Sequence, residues 1–226
     1  MYGLGESLWI GGSSRMREQK VTYTSLFWLF VVGSVLGFFI EGFWCIIQQG
    51  HWEHHAATVW GPFCIIYGIG AVVVYVLSLY LKDRSIFLSF AVFTVAGAAV
   101  EYVGSLFQEI CFGSTSWDYS QHFLSLGGRV SLKMALIWGI LGVLFVKFLL
   151  PLLQRLLIKM QGRGWTIITI LGTVFMVVNL LITSSAVWRW KVRQEGMESS
   201  NVAEQWLDET YGDEKMKSLF PNMQFK

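Results

Sequence analysis

Residues 22–48 read TYTSLFWLFVVGSVLGFFIEGFWCIIQ, a long apolar run whose one ionisable side chain is Glu41. A helix that crosses the hydrocarbon core of a bilayer, roughly 30 Å thick, needs about 20 apolar residues. This run exceeds that length. It is also apolar nearly all round, whereas a soluble core helix carries its apolar residues as a stripe on one side. The run begins after a polar leader and is far longer than the h-region of a secretory signal, which argues against a cleaved signal peptide.

Four further stretches outward from it have the same character: Val59 to Leu81, Ser85 to Phe112, Ser131 to Leu150 and Trp165 to Trp188. None shows the period-two alternation of a membrane barrel strand. The composition agrees, with 54% hydrophobic and 14% charged residues where a soluble domain carries about 25% charged. The expected fold is therefore all-α, a polytopic transmembrane bundle of about five spanning helices. Five runs in 226 residues leave no room for a separate soluble enzyme domain. The expected organisation is a cytoplasmic N-terminal segment (1–21), a transmembrane domain (22–190) and an acidic C-terminal tail (191–226). After Pro151, the alternation of Leu152, Leu153, Leu156 and Leu157 with Gln154, Arg155 and Lys159 predicts a short interfacial helix. Residues 198–220 read as a short amphipathic helix with Trp206, Leu207 and Leu219 as its apolar contacts, or else as a disordered terminus.

Charge sets the orientation. Residues 1–194 hold 14 Lys/Arg against 8 Asp/Glu, net +6, and residues 195–226 hold 3 against 7, net −4. The acidic tail argues against nucleic acid as a partner. With the N-terminus in the cytoplasm, the inner loops collect nine Lys/Arg and the outer loops five, so the positive-inside bias favours a cytoplasmic N-terminus in a multi-pass protein of the cell membrane. Arg189, Lys191 and Arg193 run against that bias, because parity places them outside. Cys45, Cys64 and Cys111 have no metal-binding spacing, and three is no disulfide framework. They are expected as buried structural thiols.

An ionisable group inside a spanning helix costs at least about 2.5 kcal/mol on insertion scales, so each one calls for a reason. Successive helical residues turn by about 100°, which puts Glu41, Cys45 and Gln48 within about 40° of Ser34 on the first helix. Gly33 and Gly37 form a small-xxx-small pair that permits close helix approach. On the third helix Glu101, Ser105, Gln108 and Glu109 share a face, with Gly97 one turn earlier. Both acidic faces are expected to turn inward toward a shared polar cavity. All four histidines fall in loops at one end, His51, His54 and His55 in the first and His122 in the second. His51 and His55 are four apart, a spacing that would suit a metal on a helix, but no metal is expected. The loop 113–129 contains Trp117, Asp118, Tyr119 and Ser120, then Gly127 and Gly128, which permit sharp turns. Asp118 and Arg129 are candidates for an ion pair folding this loop over the bundle mouth.

Glu41, the run Gly61-Pro62-Phe63-Cys64 with Ile66-Tyr67-Gly68-Ile69-Gly70, then Glu101-Tyr102, Glu109, Trp117-Asp118-Tyr119-Ser120 and Gly128-Arg129-Val130 together resemble the ABC-transporter type IV permease family (CmpB-type). The resemblance covers roughly residues 25–150. It departs at Ile65, where the family tends to have proline, and at His55-Ala56-Ala57-Thr58-Val59-Trp60, where it tends to have Asn-Arg-Gly-Phe. It implies a bacterial inner-membrane permease. The chain has no phosphate-binding loop, so any ATPase must be a separate subunit.

Two functions follow as expectations. The first is a permease-like transport component in which Glu41, Glu101, Ser105, Gln108, Glu109, Asp118 and Arg129 line a path for a polar or cationic small molecule or ion. Its partners would be membrane lipid, an ATPase subunit and a second copy in a homodimer, with no cofactor and no catalytic residue. The alternative is a membrane-embedded enzyme or accessory subunit acting on a lipid or lipid-linked group.

Overall fold

The computed structural model describes residues 21–160 and 162–226. Apart from Val21, the expected cytoplasmic segment 1–21 lies outside the described residues. Helix α1 spans Tyr23–Gln49, α2 Ile65–Tyr80, α3 Ile86–Phe112, α4 Leu132–Leu144, α5 Leu150–Lys159 and α6 Arg163–Gln194. Two short helices follow, α7 (Val202–Thr210) and α8 (Asp213–Leu219), and two-residue strands β1 (Ser114–Thr115) and β2 (Gln224–Phe225) pair antiparallel. Local chemistry fixes the helix ends. The side chains of Thr22, Ser85 and Ser131 accept the backbone N–H three residues on, the ordinary N-cap bond. Gly50 and Gly113 close α1 and α3 in the left-handed conformation that glycine adopts without strain.

Among the described residues, four helices are long and apolar enough to cross a membrane: Tyr23–Gln49, Ile86–Phe112, Leu132–Lys159 and Arg163–Gln194. Their outward faces remain apolar, as at Val95, Val103, Phe107, Phe148, Leu171 and Leu181, all exposed. Such exposure is stable only against lipid. The chain is a helical membrane protein, and the long apolar helices support a multi-pass arrangement.

The stretch expected to span from Val59 to Leu81 is helical only from Ile65 to Tyr80, 16 residues or about 24 Å. Gly61 and Pro62 are the cause. Gly61 sits at φ 79°, and the residue before a proline is pushed away from the helical region. After α1 ends, residues 51–64 therefore return into the bundle as non-helical chain, bent over 57–62, until the Cys64 N–H reaches the Ser34 carbonyl, midway along α1, at 3.0 Å. Non-helical backbone at this depth is tolerated only where protein satisfies it. Here α6 supplies the partners. Asn179 accepts from the Trp60 N–H (3.2 Å) and donates to the Trp60 carbonyl (2.8 Å), and the Thr183 hydroxyl accepts from the Val59 N–H (3.0 Å). Asn179 is fully buried.

The expected interfacial helix is instead a continuation of the fourth span. A π turn, Phe145–Leu149, joins α4 to α5. Pro151 has no N–H to give the preceding turn, and its ring crowds the carbonyl four residues back. Widening to i→i+5 bonding, with Leu150 N–H on the Phe145 carbonyl, lets the helix pass through the proline. Leu150, Leu153 and Leu157 then pack on Leu29 and Tyr75 instead of lying along the membrane surface.

The C-terminal tail is ordered and docked. Leu207, Tyr211, Met216 and Phe220 form a core with Val59, Ala186, Val187 and Trp190. α6, at about 48 Å, outruns the hydrocarbon and carries Arg189 and Arg193 to the tail. Arg189, only 1% exposed, grips Asp208 through Nε and a terminal nitrogen (2.8–3.1 Å), and Arg193 pairs with Asp208 and Asp213. The basic cluster that ran against the positive-inside bias is thus ion-paired within the fold. α6 starts beside the first turns of α1, where Trp28 donates to Thr169 (3.1 Å), and ends beside the C-terminus of α3, where Lys191 reaches Gly113. The tail accordingly lies at the same end as the α1–α2 and α3–α4 loops.

Replacing Asn179 with leucine leaves the Trp60 N–H unpaired, while the Trp60 carbonyl keeps the Thr58 hydroxyl at 3.1 Å, and should cost about 1–3 kcal/mol. A lowered thermal midpoint of the detergent-solubilised protein checks this, with exposed Val177→Leu as control. Burial alone would raise the Asp208 carboxyl, but hydrogen bonds from Arg189 and Arg193 outweigh it and hold it below the ordinary range. A carboxyl depressed on folding adds stability above its unfolded pKa of about 3.9 and loses it as pH falls through the folded value. Docking of α7 and α8 should therefore be constant from neutral pH to about pH 4 and weaken below it. Hydrogen-exchange protection of 202–219, corrected for intrinsic rates, measures this.

Candidate functional site

Two glycine-lined helix contacts place the acidic residues. A methyl group on Gly37 would fall 2.3 Å from Tyr67 Cβ, so only glycine lets α2 lie this close to α1. Tyr67 then lies across α1 one turn before Glu41, and its hydroxyl donates to Glu41 Oε1. On α3, a methyl on Gly97 would fall 2.3 Å from Trp138 Cβ of α4. Trp138 occupies that space and packs against Tyr67, ring centres 5.1 Å apart. Glu101, one turn after Gly97, is 4% exposed and accepts from the Tyr119 hydroxyl at 3.1 Å. Its second carboxylate oxygen is buried and meets no donor in full hydrogen-bond geometry among the described residues, with the Trp138 side chain beside it as a weaker partner. Tyr119 lies in the α3–α4 loop and stacks on His122 at 5.1 Å. Burial first, then the Glu101 and Glu41 carboxylates, push its phenol far above its ordinary value, so it remains a proton donor at any physiological pH.

The other expected site residues sit above this group and hold the loop. Arg129 pairs with Glu109, donates to Ser105 (3.4 Å) and lies over the Tyr102 ring at 5.8 Å. The hydrogen bond to Glu109 raises the guanidinium further above its already high value, so its charge is permanent. Glu109 also receives Lys226 Nζ at 2.7 Å, and the Lys226 N–H bonds the Gly113 carbonyl. Gln108 donates to Ser114 and Ser116 (3.2 and 2.8 Å). The expected Asp118–Arg129 pair is not formed. Asp118 caps the Ser120 N–H at 2.8 Å instead, the local turn that aspartate favours. Gly127 and Gly128, both at positive φ, make the tight turn between Leu126 and Arg129 that aims Arg129 back at Glu109.

The histidines separate. Residues 51–55 are not helical, so no shared helical face for His51 and His55 exists. His51 meets the Gln49 carbonyl and His54 the Leu219 carbonyl. His55 lies against Cys45 and Glu53, and these three groups, all within 4.8 Å of one another, are the ones among the described residues that could hold a metal ion. Of the cysteines expected to be buried, only Cys45 is; Cys64 is half-buried and Cys111 exposed.

Sequence reading assigned no role to Tyr67, Tyr119, Trp138, Asn179 or the Cys45–Glu53–His55 group. Asn179 carried a signal, since an asparagine midway along an apolar run needs a partner as Glu41 does. The tyrosines carried none, because their partners are 18 and 26 residues away.

These features define a helical membrane protein with paired acid–tyrosine contacts at neighbouring helix interfaces. The family model described as "Putative ABC-transporter type IV" matches residues 28–184, more than half the chain, and the protein belongs to that family. No curated protein and no solved structure gives a match.

Tyr119→Phe removes the donor to a buried carboxylate. It should lower stability by about 1.5–3 kcal/mol, the range for hydrogen bonds to charged groups, or by less where Glu101 takes up a proton in response. Thermal unfolding in detergent at pH 6 and pH 9 separates the two, the larger loss being expected at pH 9, where proton uptake is least favourable.

Proposed function

We propose that this chain is a permease-like component of a membrane transport system, in which Glu41 and Glu101, with Tyr67 and Tyr119, take up a polar or cationic solute or ion. The observation that carries the reading is the Glu101 carboxylate, buried in a spanning helix, with the Tyr119 hydroxyl on one oxygen and no donor in full hydrogen-bond geometry on the other among the described residues. A carboxylate left in that state costs several kcal/mol, which a cation or proton entering beside it would relieve. Glu41, held by the Tyr67 hydroxyl at the neighbouring helix interface, where Tyr67 packs on Trp138, provides the next site along such a path. Ser105, Glu109 and Arg129 then form the approach, with Gln108 and Asp118 shaping the loop. Membership of the ABC-transporter type IV family supports a transport role and is compatible with a separate ATPase subunit and a lipid environment. The reading places the protein in a bacterial inner membrane, N-terminus inside, and allows a homodimer.

A second reading, a membrane enzyme acting on a lipid-linked group, is favoured by the Cys45–Glu53–His55 group, which lies at the same end as the loop residues. An accessory role through a free acidic tail has less support, since Asp208 and Asp213 are engaged by the chain's own arginines.

The test compares the solute and ion content of cells carrying the wild type, Glu41→Gln, Glu101→Gln or no copy. The expected outcome is a solute whose level depends on the wild type and is lost by at least about tenfold in flux in both variants, one decade per 1.4 kcal/mol of lost binding. Thermal midpoints confirm that the bundle persists. Full flux in both variants overturns the assignment, and a change in lipid-linked species without any solute change favours the enzyme reading.

A further inference from the structure

The last turns of α1 and the first residues of the re-entrant segment gather a second set of groups, distinct from the glutamate–tyrosine pairs. Cys45 Sγ lies 3.0 Å from His55 Nε2 and 3.6 Å from Glu53 Oε2, and His55 Nε2 lies 3.4 Å from Glu53 Oε2. Cys45 is 5% exposed, and the His55 and Glu53 side chains are each 19% exposed. We propose that Cys45, Glu53 and His55 bind one divalent transition-metal ion of the zinc class, leaving a fourth position to solvent or solute.

Geometry supports this first. Zinc bonds of about 2.3 Å to sulfur, about 2.0 Å to imidazole nitrogen and about 2.1 Å to carboxylate oxygen, arranged tetrahedrally, set ligand separations of about 3.6 Å (S···O), about 3.4 Å (N···O) and about 3.5 Å (S···N). The first two are the separations found. The third is shorter here and opens by about half an ångström to admit the ion. Charge is the second support. On binding, the Cys45 thiol gives its proton to solvent, as metal ligation requires. Thiolate and carboxylate then cancel the ion's two positive charges, and a neutral site suits a half-buried position at a helix end.

Ligand type sets the class of ion. A thiolate with an imidazole selects zinc-like ions over magnesium or calcium, which prefer oxygen. Three protein ligands resemble open zinc sites more than closed structural ones, which use four. The ion would also tie the re-entrant segment to α1 at the point where the chain turns back, so loading should stiffen that turn. The spacing, Cys45 to Glu53 to His55, matches no short zinc motif, because the turn at Gly50 and not a helix or knuckle brings the ligands together.

The untagged full-length protein in detergent, stripped by chelator, is titrated with cobalt chloride and then zinc chloride. The expected result is one cobalt per chain, a near-ultraviolet thiolate-to-cobalt band with visible bands of tetrahedral cobalt, and bleaching of both by zinc. Cys45→Ser and His55→Gln should each weaken binding at least about 100-fold, beyond the upper end of the 10–100-fold loss that outer-shell changes cause. Cys111→Ser should bind as the wild type does. Wild-type protein that holds no stoichiometric ion, or a thiolate band that survives Cys45→Ser, overturns the assignment. Should Cys45→Ser fail to fold, X-ray absorption of zinc-loaded wild type decides: one sulfur at about 2.3 Å supports the site, and a shell of nitrogen and oxygen alone overturns it. None of these readouts depends on solute flux, so the metal site and the transport reading stand or fall separately.

Discussion

A peptide group held at bilayer depth has no water to bond with, so its N–H and C=O must be met by protein. Between His54 and Cys64 the chain leaves helical geometry while inside the bundle, and that requirement organises what surrounds it. The amide of Asn179 answers the Trp60 peptide donor for acceptor and acceptor for donor, as a neighbouring strand would. Thr183 and the Ser34 carbonyl meet two more N–H groups. Pro62 has no N–H to meet. The position of α6 against the segment follows from these bonds, and so does the shortness of α2, which starts only where the segment delivers it.

The acidic residues follow from a second constraint, close helix approach. Gly37 and Gly97 have no side chain, and the space is taken by Tyr67 and Trp138. These two rings bring α1, α2, α3 and α4 into one contact, with Glu41 and Glu101 each one turn beyond its glycine. The small residue and the acid therefore act together on each helix. The glycine admits the ring, and the ring or its neighbour provides the group beside the carboxylate.

The helices were legible because hydrocarbon imposes a length and a composition that can be counted residue by residue. The acidic faces of α1 and α3 were legible for the same reason, since charge in an apolar run stands out. Three features were not. The break at Gly61-Pro62 lay inside an apolar run whose hydropathy hid it, although the proline itself was visible. Pro151 read as the start of a new helix because a π turn, which carries a helix through a proline, leaves no mark in composition. The docking of the tail depended on Arg189 and Arg193 meeting Asp208 and Asp213, and spacing along the chain does not reveal such pairings. The acidity of the tail and the basic cluster that ran against the orientation rule were two halves of one arrangement.

Val59, at the upper part of the re-entrant segment, shares its apolar core with Leu207, Tyr211, Met216 and Phe220, and His54 is bonded to the Leu219 carbonyl. The segment and the C-terminal helices are therefore a single mechanical unit at that end of the molecule. A swing of residues 54–64 away from α6 would have to drag α7 and α8 along or shear them off, exposing Met216 and Trp190 to solvent. The tail and the non-helical stretch 54–64 are thus clamped together, and Arg189 and Arg193 hold the tail's side of the clamp through Asp208 and Asp213.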